Sequence, residues 1–160
     1  MAYCRGFEIE ADGSKRYAEM IKKALTAEQL EFTARSLADK AAGIDAVAQI
    51  EGLVYGVSLR YRSSDYNSFT LNRHISDPAS EVRKWLRPAN GNLKPAYHLQ
   101  IGAAQEYYRV IRVNVAAFSN FLRLESLEKY YNSRLLAYEF KLEALPPLAA
   151  VRSFKINKNK

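Results

Sequence analysis

At 160 residues and 18.2 kDa, with 48% hydrophobic and 26% charged residues, the chain has the composition of one folded globular domain, and a mainly disordered chain is excluded. No apolar run reaches the length of a membrane helix, and Met1-Ala2-Tyr3-Cys4-Arg5 lacks the apolar core and cleavage site of a signal peptide. The expected setting is therefore cytoplasmic or organellar, not secreted, with no membrane partner.

The single cysteine, Cys4, can make neither an internal disulfide nor a zinc cluster, so the fold must rest on its hydrophobic core, and no cofactor or metal is expected. With 24 Lys+Arg against 17 Asp+Glu the net charge is +7. The excess is uneven: residues 1–80 carry 10 basic and 11 acidic side chains, whereas residues 81–160 carry 14 basic and 6 acidic, a net +8. Such asymmetry favours one positive face and a polyanionic partner.

Along the chain, residues 3–10 read as a short strand ended by Ala11-Asp12-Gly13, after which Ser14 caps a helix with Tyr17, Met20, Ile21, Ala24 and Leu25 on one stripe. Thr26 and Gln29 form a capping-box pattern, and Leu30, Ala34, Leu37, Ala41 and Ile44 continue at helical spacing, which predicts a second helix. From Leu53 the period becomes two, with Leu53, Tyr55, Val57, Leu59 and Tyr61 opposite Ser58, Arg60 and Arg62. Ser63 to Asn67 read as a turn into a second alternating segment, Phe69, Leu71 and Ile75 against Ser68, Thr70, Asn72 and His74, giving a hairpin. Asp77-Pro78 predicts the start of a short helix with Val82, Trp85 and Leu86 inward, stopped by Pro88.

Ala96 to Ile101 and Tyr108 to Val115 form a second strand pair. A helical segment over 116–124 follows, and Leu127, Tyr131, Leu135, Tyr138 and Leu142 predict another helix before Leu145-Pro146-Pro147. The reading is a single α+β domain over residues 1–150, an antiparallel sheet built from two hairpins with helices packed on one face and helices at the C-terminal end. Residues 151–160 form a basic C-terminal tail.

If the apolar parity faces the helices, the open sheet face displays Ser58, Arg60, Arg62, Ser68, Thr70, Asn72, His74, His98, Gln100, Tyr108, Arg112 and Asn114, with no acidic residue among them. These are side chains that meet phosphate oxygens and base edges, and Tyr108 adds a stacking surface, so nucleic acid, DNA or RNA, is the leading partner. An acidic protein surface is the alternative, which would make the chain an interaction or assembly protein, such as an inhibitor of a nucleic-acid machine. A solvated polar face without a partner has the same composition.

From Thr26 to Leu142, the order helix, hairpin, helix, hairpin, helices is similar to the α-β-β-α-β-β-α core of LAGLIDADG homing endonucleases. That resemblance implies a sheet laid in the DNA major groove. In that family an acidic residue beside a glycine ends the defining helix and ligates the catalytic metal. Here only Ala48-Gln49-Ile50-Glu51-Gly52 resembles it, without the small-residue packing string, so binding rather than cleavage is implied.

The two histidines, His74 and His98, are the only catalytic candidates. Each lies on a predicted strand and is followed two residues on by Ser76 or Gln100. As general base and acid on a phosphodiester the pair resembles the His-x-Ser/Thr motifs of two-histidine phosphoesterases, with Gln100 in place of a hydroxyl. No phosphate-binding glycine loop, Cys/His metal spacing or Gly-x-Ser-x-Gly elbow is present. The expectation is non-catalytic nucleic-acid binding across the sheet face.

Overall fold

The computed structural model describes residues 14–32, 43–87 and 94–158. Helix α1 (Ser14–Leu25) follows the apolar stripe of the sequence and buries Met20, Ile21, Ala24 and Leu25. A left-handed backbone at Thr26 (φ 54°) ends it. The chain then continues as strand β1 (Gln29–Phe32), not as the second helix that the capping box predicts. Leu30 and Phe32 face the core while Gln29 and Glu31 are exposed, so the period here is two, and pairing with β2 (Ala46–Ile50) outweighs the helical signal. The remainder of that predicted helix, including Ala34, Leu37 and Ala41, and the predicted strand over 3–10 lie outside the described residues.

Strand β2 turns into β3 (Leu53–Arg62) through Glu51 and Gly52, both at positive φ (52° and 81°), the two-residue form whose twist matches antiparallel strands. The long alternating segment therefore hairpins back onto β2, and the predicted hairpin with 68–75 does not form. On its other side β3 pairs in parallel with β5 (Tyr97–Ala103). The predicted pair of β5 with β6 (Tyr107–Asn114) is present and antiparallel.

The segment expected as a basic tail instead runs as β9 (Val151–Asn157) along β6, completing a six-stranded sheet in the order β1-β2-β3-β5-β6-β9. Strand β4 (Ser68–Asn72) leaves this sheet and joins β7 (Tyr131–Asn132) and β8 (Ala137–Lys141) in the order β4-β8-β7. The α+β class and the antiparallel-dominated sheet hold.

Two short helices sit beside the small sheet. Helix α2 (Glu81–Leu86) is capped by Ser80, whose hydroxyl accepts from the Arg83 amide, one turn later than the predicted Asp77 start. Helix α3 (Val115–Arg123) is capped by Asn114. The predicted helix over 127–142 is replaced by one 3-10 turn (Leu127–Tyr130) and strands β7 and β8. The reason is cross-strand pairing: Phe69 stands opposite Phe140 and Leu71 opposite Tyr138, with the two phenyl rings stacked at 5.1 Å. Leu135, which the helical spacing would bury, is 48% exposed.

The register assigns each residue of the large sheet to a face. Ala46, Ala48, Val57, Leu99, Ile101 and Val110 point to one side, where α1 covers them. Ser58, Arg60, Arg62, His98, Gln100, Ile111 and Val113 point to the other. That second side is also covered, by Phe69 and Leu71 of β4, Val82 and Trp85 of α2, Phe118, Phe121 and Leu122 of α3, and Tyr138 and Phe140 of β8. Helices were expected on one face only. In the fold the sheet is the middle layer of three, and no helix among the described residues is long and apolar enough to cross a membrane.

Candidate functional site

The residues expected on an open face are largely interior. Ser58, Thr70, His98, Gln100 and Tyr108 are all buried. Tyr108, Arg112 and Asn114 moreover lie on the opposite side of the sheet from Ser58, Arg60, His98 and Gln100, because Arg112 stands opposite Leu99 while Val113 stands opposite His98. The alternation of β3 and β5 was legible, but the parity of β6 was inverted.

What the polar parity builds is a polar layer within the chain, between the sheet and the elements that cover it. The Arg60 guanidinium donates to the Thr70 carbonyl and pairs with the Glu81 carboxylate, which also accepts from the Asn72 amide at 2.7 Å. Burial alone would raise the Glu81 carboxyl, but the Arg60 charge and the Asn72 amide outweigh it and hold it below the usual range. Arg62 reaches the Thr70 hydroxyl at 3.2 Å and lies over the Tyr66 ring, and the Gln100 amide donates to the Ser68 carbonyl at 2.8 Å.

On the opposite face Arg112 donates to the carbonyl of Ala24 at the end of α1 (2.9 Å), and the Asn114 side chain caps α3. Asn72 alone of the expected residues is fully exposed among these. A ligand on this parity would have to displace β4 and α2.

The two histidines do not meet. His98 is 1% exposed, edge-on to Trp85, with Nδ1 at 2.6 Å from the Ser58 hydroxyl and no partner for Nε2 among the described residues. Burial, aided by Arg60, lowers its pKa to about 4, so it is neutral near pH 7. His74 lies beyond the end of β4 against Tyr131 and Tyr138. Its Nδ1 accepts from the Ser76 amide at 3.2 Å, which leaves the proton on Nε2 to donate to Glu128 at 2.7 Å. Each ring is thus held by its own neighbours, and the structure forms no shared acid–base site from them. Among the described residues no group of His, Cys, Asp and Glu could hold a metal ion.

Another site is assembled by residues that the alternation did not select. The C-terminal ends of α2 and α3 meet the start of β5 and leave a pocket of about 440 Å³. Arg87, Lys94 and Arg123 line it together with Tyr55, Tyr97, Trp85, Asn114, Ser119 and Asn120, and among the described residues no carboxylate does. Lys94 donates to the carbonyls of Trp85 (2.9 Å) and Arg87, and Arg123 donates to Asn120 (2.8 Å) and to the Leu86 carbonyl (3.4 Å).

The first task of these cations is to cap the last carbonyls of α2. Carbonyls carry only partial charge, however, and three full positive charges converge. Burial, then Arg123 and Arg87, hold the Lys94 ammonium below its usual pKa. Tyr55 and Tyr97 form an edge-on pair at 6.0 Å along one wall.

A larger concavity of about 600 Å³ beside β7 and β8 also holds cations, Lys129, Arg134 and Lys141, but Glu139 lines it and Lys129 already pairs with Glu125. Its field is therefore weaker. The sequence signal for the α2–α3 pocket was available: Arg87 and Arg123 close two predicted helices, and Lys94 precedes a strand that opens on Tyr97. What periodicity could not supply is that those helix ends pack together.

Compared with protein-family models, with curated proteins and with solved structures, the chain matches none.

Proposed function

We propose that the protein binds nucleic acid without catalysing a reaction on it, through cations on its outer surface and not through the enclosed polar parity of the sheet. The observation that carries this reading is the convergence of Arg87, Lys94 and Arg123 around one pocket that no acidic side chain among the described residues lines. It lies in the half of the chain that holds 14 basic and 6 acidic residues. An uncompensated cluster of this kind raises the local concentration of polyanions and gains free energy by releasing their counterions.

The reading is supported further by how the acids are used. Asp65 is occupied by Arg109 and Tyr107, and Glu81 by Arg60, so these carboxylates do not neutralise the pocket. Arg152 and Lys155, exposed on the edge strand β9, add positive charge to the surface in the same half of the chain.

An acidic protein surface is the second reading. The observation that favours it is the exposure of Leu124 (77%), Leu136 (66%) and Leu148 (61%) in the same half of the chain, since apolar contacts belong to protein interfaces. Binding of labelled DNA and RNA over a range of salt concentrations separates the two. Nucleic-acid binding requires affinity that falls steeply with salt. If neither DNA nor RNA binds at about 50 mM salt, a condition that favours even non-specific association, the protein-partner reading replaces this one.

A further inference from the structure

We infer that the pocket between α2, α3 and the start of β5 takes one unstacked nucleotide of a single strand, its phosphate among Arg87, Lys94 and Arg123 and its base against Tyr97 and Tyr55. This rests on the nucleic-acid reading above and narrows it to single-stranded over duplex ligands. Three features carry it.

The pocket, about 440 Å³, has room for a nucleotide and not for a duplex backbone with its paired bases. Cations and aromatic rings line the same space: Lys94 and Arg123 are anchored on backbone carbonyls at the end of α2, and the Tyr55–Tyr97 pair lines the pocket with them. Fixed cations beside a ring face are what a splayed-out nucleotide needs, whereas a base inside a duplex keeps its faces covered by neighbouring pairs. Thirdly, Asn120 and Ser119 of α3 line the same space and supply hydrogen-bonding groups for a base edge or sugar.

The three cations line one pocket with no carboxylate beside them among the described residues. Their mutual repulsion is relieved when a phosphate enters, so ligand and site stabilise each other. Arg87 and Arg123 are exposed, while Lys94 is half-buried. The two arginines therefore meet the strand first and the ammonium fixes the phosphate position.

The test uses the full chain and three probes, a ten-nucleotide oligothymidylate, a ten-nucleotide mixed-sequence RNA, and a twenty-base-pair DNA duplex. Trp85, the one tryptophan of the chain, lines the pocket and reports binding by its fluorescence. The single strands should bind at least about tenfold tighter than the duplex per site and quench Trp85. Arg123→Gln should weaken single-strand binding and flatten its salt dependence by at most about 0.7 in log–log slope, since Arg87 and Lys94 remain on the same phosphate. Tyr97→Leu, which keeps an apolar side chain in the sheet, should weaken it roughly fivefold or more without changing that slope, as expected for loss of a stacking surface.

Circular dichroism of both variants, and duplex binding by each, show whether they remain folded. If single strands and duplex bind equally and neither variant alters affinity, the pocket is not the site, while nucleic-acid binding through other cations stands. If none of the three probes binds at about 50 mM salt and only an acidic protein does, the nucleic-acid reading fails and the pocket inference fails with it.

Discussion

His98 offers a quantitative check on the enclosed polar layer. Its ring is buried beneath Trp85, next to Arg60, and its pKa falls from 6.5 to about 4. Between these values the unfolded chain binds the proton and the folded protein does not, so the contribution of this residue to stability is complete above about pH 6.5 and is lost as the pH falls towards 4. One unit of pKa corresponds to about 1.4 kcal/mol. From pH 7 to pH 5 the loss from His98 alone is therefore on the order of 2 kcal/mol. The carboxylates held low by ion pairs, Asp65 and Glu81, begin to lose their contribution as the pH falls through the ordinary carboxylate range and lose the rest below it, so most of their effect lies below about pH 5.

Urea unfolding followed by Trp85 fluorescence, at pH 5, 6 and 7, measures the effect. His98→Gln removes the titrating group while keeping a hydrogen-bonding side chain. The variant should be less stable than the parent at pH 7, because ring packing against Trp85 is lost, but the gap should narrow by about 2 kcal/mol at pH 5. Equal pH dependence in parent and variant would mean that His98 is solvated, and the layered arrangement of β4 and α2 over the sheet would be wrong.

Two glycine substitutions test the packing itself. A Cβ on Gly102 would lie 2.4 Å from the Ser64 carbonyl oxygen, part of the turn that Asp65 ties down through Arg109, so Gly102→Ala should cost about 2 kcal/mol or more in denaturant unfolding. At Gly56 the same methyl meets the buried side chain of Ile44, at Cδ1 (2.8 Å), Cγ1 (3.1 Å) and Cγ2 (3.3 Å), but no backbone, so Gly56→Ala should cost about 1 to 2 kcal/mol, less than Gly102→Ala. Glu81→Gln leaves Arg60 without its counter-charge in a site where both side chains are about one-fifth exposed (18% and 22%), and a loss of about 2 to 4 kcal/mol is expected by thermal unfolding. Because Arg60 and Arg62 are spent on Thr70 and Glu81, replacing both with Ala should lower stability yet leave the salt slope of any nucleic-acid binding unchanged.

The sequence carried the alternation of β3 and β5 plainly, and with it the separation of Val57, Leu99 and Ile101 from Ser58, His98 and Gln100. It also carried α1, α2 and α3 through their apolar stripes, but not their caps: Ser14, read as a cap, is the first residue of α1, and Ser80 and Asn114, not Asp77, cap α2 and α3. It misled where two periods coincide. Leu127, Tyr131, Leu135 and Tyr138 satisfy a helical spacing, yet Tyr138 and Phe140 gain more by facing Leu71 and Phe69 across a strand pair. Thr26 and Gln29 make a capping box, yet Leu30 and Phe32 gain more on the edge of the sheet beside Ala48 and Ala46.

The open face was inferred from polarity, and polarity does not distinguish water from a buried network. Arg60, Glu81 and Asn72 satisfy one another. The gathering of Arg87, Lys94 and Arg123 depends on how α2, α3 and β5 are placed relative to one another, information that no local pattern holds.

The most direct test of the central claim is the salt dependence of single-strand binding by the parent and by the triple variant Arg87→Gln, Lys94→Gln and Arg123→Gln. Each phosphate neutralised on a single strand contributes about 0.7 to the slope of log K against log salt, so a pocket that holds one phosphate among these three cations makes the parent steeper than the triple variant by about 0.7. An identical slope in the two proteins, or no binding by the parent at about 50 mM salt, would contradict the assignment of this pocket as a nucleic-acid contact.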